Sequence, residues 1–561
     1  MRINIISYDN GYGLSKDIFK LKTLLLEMNK NLDIKIYNFY DYKCREADLN
    51  IYLEVVNNLL IKFAKYNVMI PNQEWYYRHW IPYLNNFDLI LVKTDYAYNI
   101  FKSIPEVKNV QYLGWSSYDK YKSEIYKFNL RCLHLCGRSI YKQTQKIINN
   151  WKPDYLPLTI LYSPKDVKLK LKNQSNITYI TQKIDDKQLK MLMNTHSIHL
   201  CCSETEGFGH YINEAKSCQA LVVTTNAPPM SELIDDNNGV KINYSQEVSL
   251  PESLGHKYEI DDNHFHQTIS SLINLSEKEI VSKGELARNS YLENEQKFKV
   301  NLKSCFQDLL SRIQLIPRPL IKNEEISKDL LPTVSIVTLV YNRKRFFKLS
   351  LLNFMSIDYP KHKLEWIIID DSKESEKVKN LVPKEKNIHY LEYKRHLTIG
   401  NKRNLAIEKC HHEMICFMDD DDYYPPESVR TRINWMLNNN KKCVTCTTIG
   451  CFHINKYISM INVPPHQLSF ENRISEASLA FNKSFWEQQK FDDNSRGGEA
   501  REFLINRYQD CCEISWQGVI VSLMHSSNTS DKVTMSEKPN GCHFGFSNKL
   551  FSFVTSLDRK S

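Results

Sequence analysis

Glycine is scarce in this chain, with 16 residues among 561, against a usual share of about 7%. Where glycines cluster in such a chain, they mark backbone positions that need them. Long apolar runs are also missing. No stretch reaches the roughly 18 apolar residues a membrane-spanning helix requires. The opening Met1-Arg2-Ile3-Asn4-Ile5-Ile6-Ser7 turns polar too soon for a secretory signal and reads as a first strand. Dense basic blocks with interleaved aromatics are lacking, so the formal charge of +9 does not point to nucleic acid and leaves anionic substrates as a source. The 15 cysteines are scattered and odd in number. Without an export signal they read as reduced thiols of a cytoplasmic protein, and Cys443-x-x-Cys446 as two such thiols in a β-patterned stretch.

What is present is ordinary for soluble globular protein: 42% hydrophobic and 25% charged residues. The length is too great for a single core and implies two to four domains. In the first half, strand-like runs at residues 3–7, 33–39, 66–70, 89–93 and 110–113 alternate with helical patterns, which implies a parallel sheet. Gly11-Tyr12-Gly13 between the first strand and a helix from Leu14 to Met28 opens a Rossmann-like unit. A second alternating block begins near Arg131. Its first strand, Cys132–Cys136, runs into Gly137-Arg138-Ser139-Ile140-Tyr141-Lys142. A glycine turn with two cations at a helix start suits a phosphate group, although Arg138 and Lys142 can equally be solvated. Glu206-Gly207-Phe208-Gly209-His210-Tyr211-Ile212-Asn213-Glu214 places two carboxylates around a glycine loop and the following helix, where they can accept hydrogen bonds from sugar hydroxyls.

A polar, proline-marked stretch at 316–331 reads as a linker. The second half is organised around Ile415–Met418, a buried strand running into Asp419-Asp420-Asp421-Asp422-Tyr423-Tyr424-Pro425-Pro426. Alone, such a run reads as a solvated acidic turn. At a strand's C-terminal end it can also hold a hard cation. Val334–Val340 ends at Tyr341-Asn342-Arg343, Leu364–Ile369 ends at Asp370-Asp371-Ser372, and Gly400-Asn401-Lys402-Arg403-Asn404 opens a helix. Acids at two strand ends with a cationic turn between them can build one pocket for a nucleotide diphosphate and its metal.

From Ile177–Ile180 through Ser203–Gly209 and Glu214-Ala215 to Val222–Thr225 and Glu232, the first half resembles glycosyltransferase family 4, of the GT-B fold. The resemblance implies that Glu206 and Glu214 contact donor sugar and nucleotide, that Arg138 and Lys142 contact the diphosphate, and that transfer retains configuration, with Glu206 in the catalytic group. Gln219 stands where that family usually has glycine. Over Val334–Arg343, Ile368–Ser372, Gly400–Asn404 and Asp419–Pro426, the second half resembles glycosyltransferase family 2, of the GT-A fold. This implies that Asp371 contacts the base with Asp370 in support, and that Arg403 lies near the nucleotide. Asp419 and Asp421 then form an Asp-x-Asp element for Mn2+ or Mg2+, with Asp421 the leading ligand. The register of Asp420 and Asp422 stays open by one. His525 resembles a C-terminal metal- or phosphate-contacting histidine. Glu499, with Glu502 second, falls where the family places its base, although Glu-Asp is usual there and this chain has Glu499-Ala500.

The resulting expectation is an α/β protein: twin GT-B Rossmann-like domains at 1–130 and 131–315, then a GT-A domain at 332–561. Its expected activity is sugar transfer from UDP- or GDP-linked donors to a glycan or glycoconjugate hydroxyl, inverting in the second half. Two alternatives stay open: only the GT-A half is catalytic, or the chain is a non-catalytic carbohydrate binder.

Overall fold

The computed structural model describes all residues except 10, 12, 40, 42–43, 316–324, 466–467, 529–545 and 559–561. Much of the expected linker and the Thr529-Ser530 pair beyond His525 therefore lie outside the described residues. The chain divides into two compact units. One comprises Met1–Phe39, Arg45–Val56 and Phe63–Arg318, the other Tyr40–Cys44, Asn57–Lys62 and Pro319–Ser561.

The first unit holds two six-stranded parallel sheets. In spatial order the first runs Asp33–Asn38, Arg2–Ser7, Ala47–Leu53, Ala64–Ile70, Leu89–Val92 and Val110–Tyr112. The helix Gly13–Met28 buries Leu14, Ile18, Leu21 and Leu25, a helical stripe that covers one face. Across the middle of the sheet runs a buried amide ladder. Asn4 Nδ2 donates to Asn50 Oδ1 at 3.0 Å, and Asn50 Nδ2 to Asn67 Oδ1 at 3.2 Å. Each amide satisfies its neighbour, so three polar side chains can occupy central strands.

The second sheet runs Gly239–Ile242, Leu221–Thr225, Ile198–Cys201, Cys132–Gly137, Leu158–Tyr162 and Ile177–Ile180. Its strand order reverses between Cys132–Gly137 and Ile198–Cys201, which leaves a crevice at their C-terminal ends. The 39-residue helix Glu277–Leu315 returns from this sheet to the first and buries Phe298, Leu302, Phe306 and Leu309 in the first core. Gln219 has φ 60°, the left-handed conformation that explains a glycine preference at this point. Its carbonyl is met by Gly284 of the long helix, where a Cβ would lie 2.3 Å from the oxygen.

The second unit is built on a seven-stranded sheet: Ile388–Glu392, Leu364–Asp370, Val334–Val340, Met414–Phe417, Ala480–Asn482, Cys443–Thr445 and Cys511–Glu513. The first four strands are parallel, and Ala480–Asn482 runs antiparallel to its neighbours. A smaller sheet joins Ile458–Asn462, Ile449–His453 and Val521–Met524. Both faces of the large sheet are covered, so Val334–Val340 and Leu364–Asp370 are mostly apolar and buried along nearly their whole length. The order reverses beside Val334–Val340, so Arg343, Asp371 and the four aspartates all emerge at one edge.

Among the described residues, no helix is long and apolar enough to cross a membrane. All cysteines among them are free thiols, and Cys443 and Cys446 are buried with their thiols pushed up by burial.

Candidate active site

At that edge each acid takes a different position. Asp370 is fully buried and accepts from Ser372 N at 2.9 Å, Val378 N at 2.9 Å and Tyr390 Oη at 2.8 Å. Its carboxylate shapes the loop after the strand. Asp371 accepts from Leu397 N at 2.8 Å, lies 2.9 Å from His396 Nδ1 and is ion-paired with Lys402. The His396 ring stacks on Tyr341, with centroids 4.0 Å apart, and Lys402 Nζ lies 5.1 Å from the Tyr341 centroid. A planar aromatic pair, a carboxylate and an ammonium thus converge from three strand ends.

The four-aspartate run divides its labour. Asp422 faces inward: its Oδ1 accepts from Ser522 Oγ at 3.0 Å and Leu523 N at 2.9 Å, tying the turn to the small sheet. Asp420 and Asp421 share one guanidinium, with Arg343 Nη1 2.8 Å and 2.9 Å from their oxygens. Asp421 Oδ2 also lies 3.2 Å from His525 Nε2 and accepts from Asn528 Nδ2 at 3.2 Å. His525 is held by Phe346, whose ring stacks at 4.0 Å. Asp419 is the more open acid, with a side chain 26% exposed. Burial and its neighbours Asp422, Asp421 and Glu499 push its carboxyl up to about 6, against the opposing pull of Arg403.

Arg403 lies beneath this turn, 1% exposed. Its Nε donates to Glu499 Oε1 at 2.6 Å, Nη1 lies 3.7 Å from Asp419, and its plane faces Phe417 at 4.2 Å. Glu499 therefore reaches the site, but through Arg403. Glu502 is exposed beside Arg501, and its contacts do not extend to the acidic turn.

Glu476 joins the site without a local signal in the sequence. Asp419 N donates to Tyr424 Oη at 2.8 Å, and that hydroxyl donates to Ala477 O at 2.9 Å, which anchors the turn Glu476–Ser478 next to the acids. The Glu476 carboxyl is raised by burial and by Glu499, with Asp419 adding to the effect. Its position before a short antiparallel strand gave no local signal; only the long-range pairing of Ala480–Asn482 with Met414–Phe417 brings it in.

In the first unit, the crevice holds Lys142, Ser203, Glu206, Tyr211 and Glu214. Lys142 is ion-paired with Glu206, and its Nζ lies 3.3 Å from the Tyr211 ring centroid. Ser203 Oγ donates to Glu206 at 2.5 Å and lies 2.6 Å from Tyr211 Oη. Glu214, on the helix His210–Ser217, pairs with Lys16 at 3.1 Å. Arg138 turns elsewhere, half exposed, to Asp166 at 2.7 Å. The glycine loop is closely covered: Gln73 Nε2 donates to Glu206 O at 2.6 Å, and a Cβ on Gly207 would lie 2.5 Å from the Asn72 side chain. Beneath it lies a buried network in which Asp17 takes Lys93 at 2.8 Å, Trp115 Nε1 at 2.7 Å and His210 Nε2 at 3.0 Å.

Residues 335–489 match the family described as "Glycosyl transferase family 2", and residues 162–252 match "Glycosyl transferases group 1". The chain thus carries two segments that match glycosyltransferase families. One curated relative, an "Uncharacterized glycosyltransferase" of Haemophilus influenzae, is 27% identical over 113 residues. That match spans 20% of this chain and 44% of the relative, less than half its length. Among solved structures, a sucrose-phosphate synthase from Thermosynechococcus elongatus is similar with TM-score 0.43 and 9% identity, over 55% of this chain and 99% of that one. A mannosyltransferase from Pyrobaculum calidifontis, solved with GDP-Man and Mn2+, has TM-score 0.28 and 16% identity over 35% of this chain and 58% of its own.

The acidic turn of the family 2 domain fits a divalent metal. Its donor set suits a hard cation: carboxylate oxygens with one imidazole. Asp420 Oδ2 is buried without a hydrogen-bond partner. Asp421 and His525 are the converged pair. Among the described residues, no third side chain joins them in a compact three-ligand cluster. That is the arrangement expected of Mg2+ or Mn2+ held by one or two protein ligands and completed by diphosphate and water.

Proposed function

We propose that the family 2 domain transfers a sugar from a nucleoside diphosphate donor to a hydroxyl of a glycan or glycoconjugate, with inversion. The observation that carries this is the meeting of Tyr341, His396 and Asp371 with the acidic turn at one sheet edge. The base of a UDP- or GDP-linked donor lies against the Tyr341–His396 pair, with Asp371 at its N–H edge and Asp370 fixing the loop. Asp421 and His525 would hold Mn2+ or Mg2+, and the metal when bound supplies positive charge to the departing diphosphate. Arg403 adds a fixed cation below the same site. Arg343 balances one of the two charges of Asp420 and Asp421 and leaves the other for a cation.

The proton of the acceptor hydroxyl needs a base. Glu499 is 3% exposed and committed to Arg403, so it orients that cation; Glu476, anchored beside Asp419 and better exposed, takes the proton. Turnover of UDP- and GDP-sugars by the full chain, with and without Mn2+, tests the reading.

For the group 1 domain we propose retaining transfer from a second nucleotide sugar, with Glu206 and Glu214 holding the sugar and nucleotide and Lys142 the diphosphate. The two domains would then act in sequence on one glycan, since tethering raises the local concentration of the first product. One observation favours a second reading, in which this domain only positions the acceptor. Lys142 is already paired with Glu206, and Asn72 and Gln73 cover the glycine loop. Products made by the variant carrying both Glu206→Gln and Glu214→Gln separate the two readings.

A further inference from the structure

A second cluster of metal-ligating side chains lies at the opposite edge of the family 2 sheet. Glu365 is the second residue of Leu364–Asp370, His389 the second of Ile388–Glu392, and His411 precedes Met414–Phe417. These strands are parallel, so all three residues emerge at N-terminal ends, away from the acidic turn. The register pairs Glu365 with Ser335 and Ile367 with His389, which places Ser335, Glu365 and His389 on one face.

The carboxylate is oriented before any ligand arrives. Glu365 is 4% exposed, and its Oε1 accepts from Ser335 Oγ and from His411 N at 2.6 Å. Ser335 is itself set by His412 N, which donates to its hydroxyl at 3.2 Å. Oε2 is left facing the two imidazoles, 2.7 Å from His411 Nδ1 and 3.9 Å from His389 Nε2. The rings lie 5.6 Å apart, and one ligand atom from each of the three residues falls within 4.8 Å of the others. A buried carboxylate held by two donors on one oxygen, with its other oxygen turned to two solvent-accessible imidazoles, is more built than a surface ion pair requires.

We propose that Glu365, His389 and His411 form a divalent metal site of the zinc class. Two imidazoles and a carboxylate suit Zn2+ or Co2+ rather than Mg2+, with water completing a tetrahedral shell. The metal takes the place of the proton between His411 and Glu365. It would staple Leu364–Asp370 and Ile388–Glu392 to the loop that leads into the strand bearing the four aspartates. The inference is independent of the transfer reaction.

The test is titration of the full chain, stripped with chelator, with Co2+, followed by crystals soaked in Zn2+ and measured at the zinc edge. The expected results are a tightest-binding equivalent with visible absorption lacking a thiolate charge-transfer band, and an anomalous peak between the three side chains. The variant carrying His389→Gln and His411→Gln should bind this equivalent at least ~100-fold more weakly, beyond the ~10–100-fold that loss of an outer partner costs. Both imidazoles are partly exposed, so this variant should melt like wild type in chelator. His411→Gln alone, the smaller change, should weaken binding by at least ~10-fold. Unaltered binding in either variant, or metal found only at the acidic turn or at cysteines, would overturn the proposal.

Discussion

Arg343 bridges Asp420 and Asp421, with one guanidinium nitrogen 2.8 Å and 2.9 Å from their carboxylates. One of the two negative charges is therefore balanced from within the chain. The burial of Arg343 makes this more than a surface contact, and the two acids hold its guanidinium firmly protonated despite that burial. Removing one partner of such a group leaves charge uncompensated. Arg343→Ala should lower stability by about 3–5 kcal/mol in chelator. Adding Mn2+ should restore more of the melting temperature in this variant than in wild type, because the metal then supplies the missing charge. Thermal unfolding with and without Mn2+ checks this.

Glu476 and Glu499 should separate kinetically. Glu476→Gln removes the proposed proton acceptor and should cut kcat by about 10²–10⁴-fold with little change in donor KM. Glu499→Gln loosens Arg403 and should raise donor KM as well as lower kcat. Equal loss of kcat with unchanged KM in both variants would remove the distinction.

In the first unit, Glu74 carries a pH dependence of stability. Burial and the nearby Glu54 push its carboxyl up to about 8. The folded form binds the proton more tightly than the unfolded chain. Its contribution is therefore greatest below about pH 4.5 and declines as pH rises toward 8, by a few kcal/mol in all. Glu74→Gln stays neutral throughout. The variant's calorimetric transition should shift less between pH 5 and pH 8 than that of wild type.

Glu206→Gln combined with Glu214→Gln should leave the Mn2+-dependent product of the family 2 domain intact and remove a second, metal-independent product. Product analysis by mass spectrometry decides it. A full product set in the variant would assign this domain to acceptor positioning.

The family 2 domain was legible where chemistry follows an apolar strand. Val334–Val340, Leu364–Asp370 and Met414–Phe417 are mostly apolar and almost wholly buried, and the residues after each one meet at one edge. Asp421 and His525 lie 3.2 Å apart although 104 residues separate them in sequence. Less was legible where polar residues are satisfied over long range. Ala47–Leu53 lies central in the first sheet yet carries Asp48 and Asn50, which break its apolar pattern; Asn4 and Asn67 compensate Asn50 from neighbouring strands. Glu476 has no signal of its own, because its place depends on an antiparallel strand that returns from elsewhere. The division of the four aspartates depends on Arg343, Ser522 and His525, which no local spacing reveals.

The central claim is that the acidic turn of the family 2 domain binds a nucleoside diphosphate sugar together with a divalent cation and turns it over. The most direct measurement is transfer or hydrolysis of UDP- and GDP-sugars by the full chain in Mn2+ and in chelator, for wild type and for Asp421→Asn. The account predicts turnover that needs Mn2+ and falls at least ~100-fold in the variant. Equal turnover in chelator, or an Asp421→Asn variant as active as wild type, would contradict it.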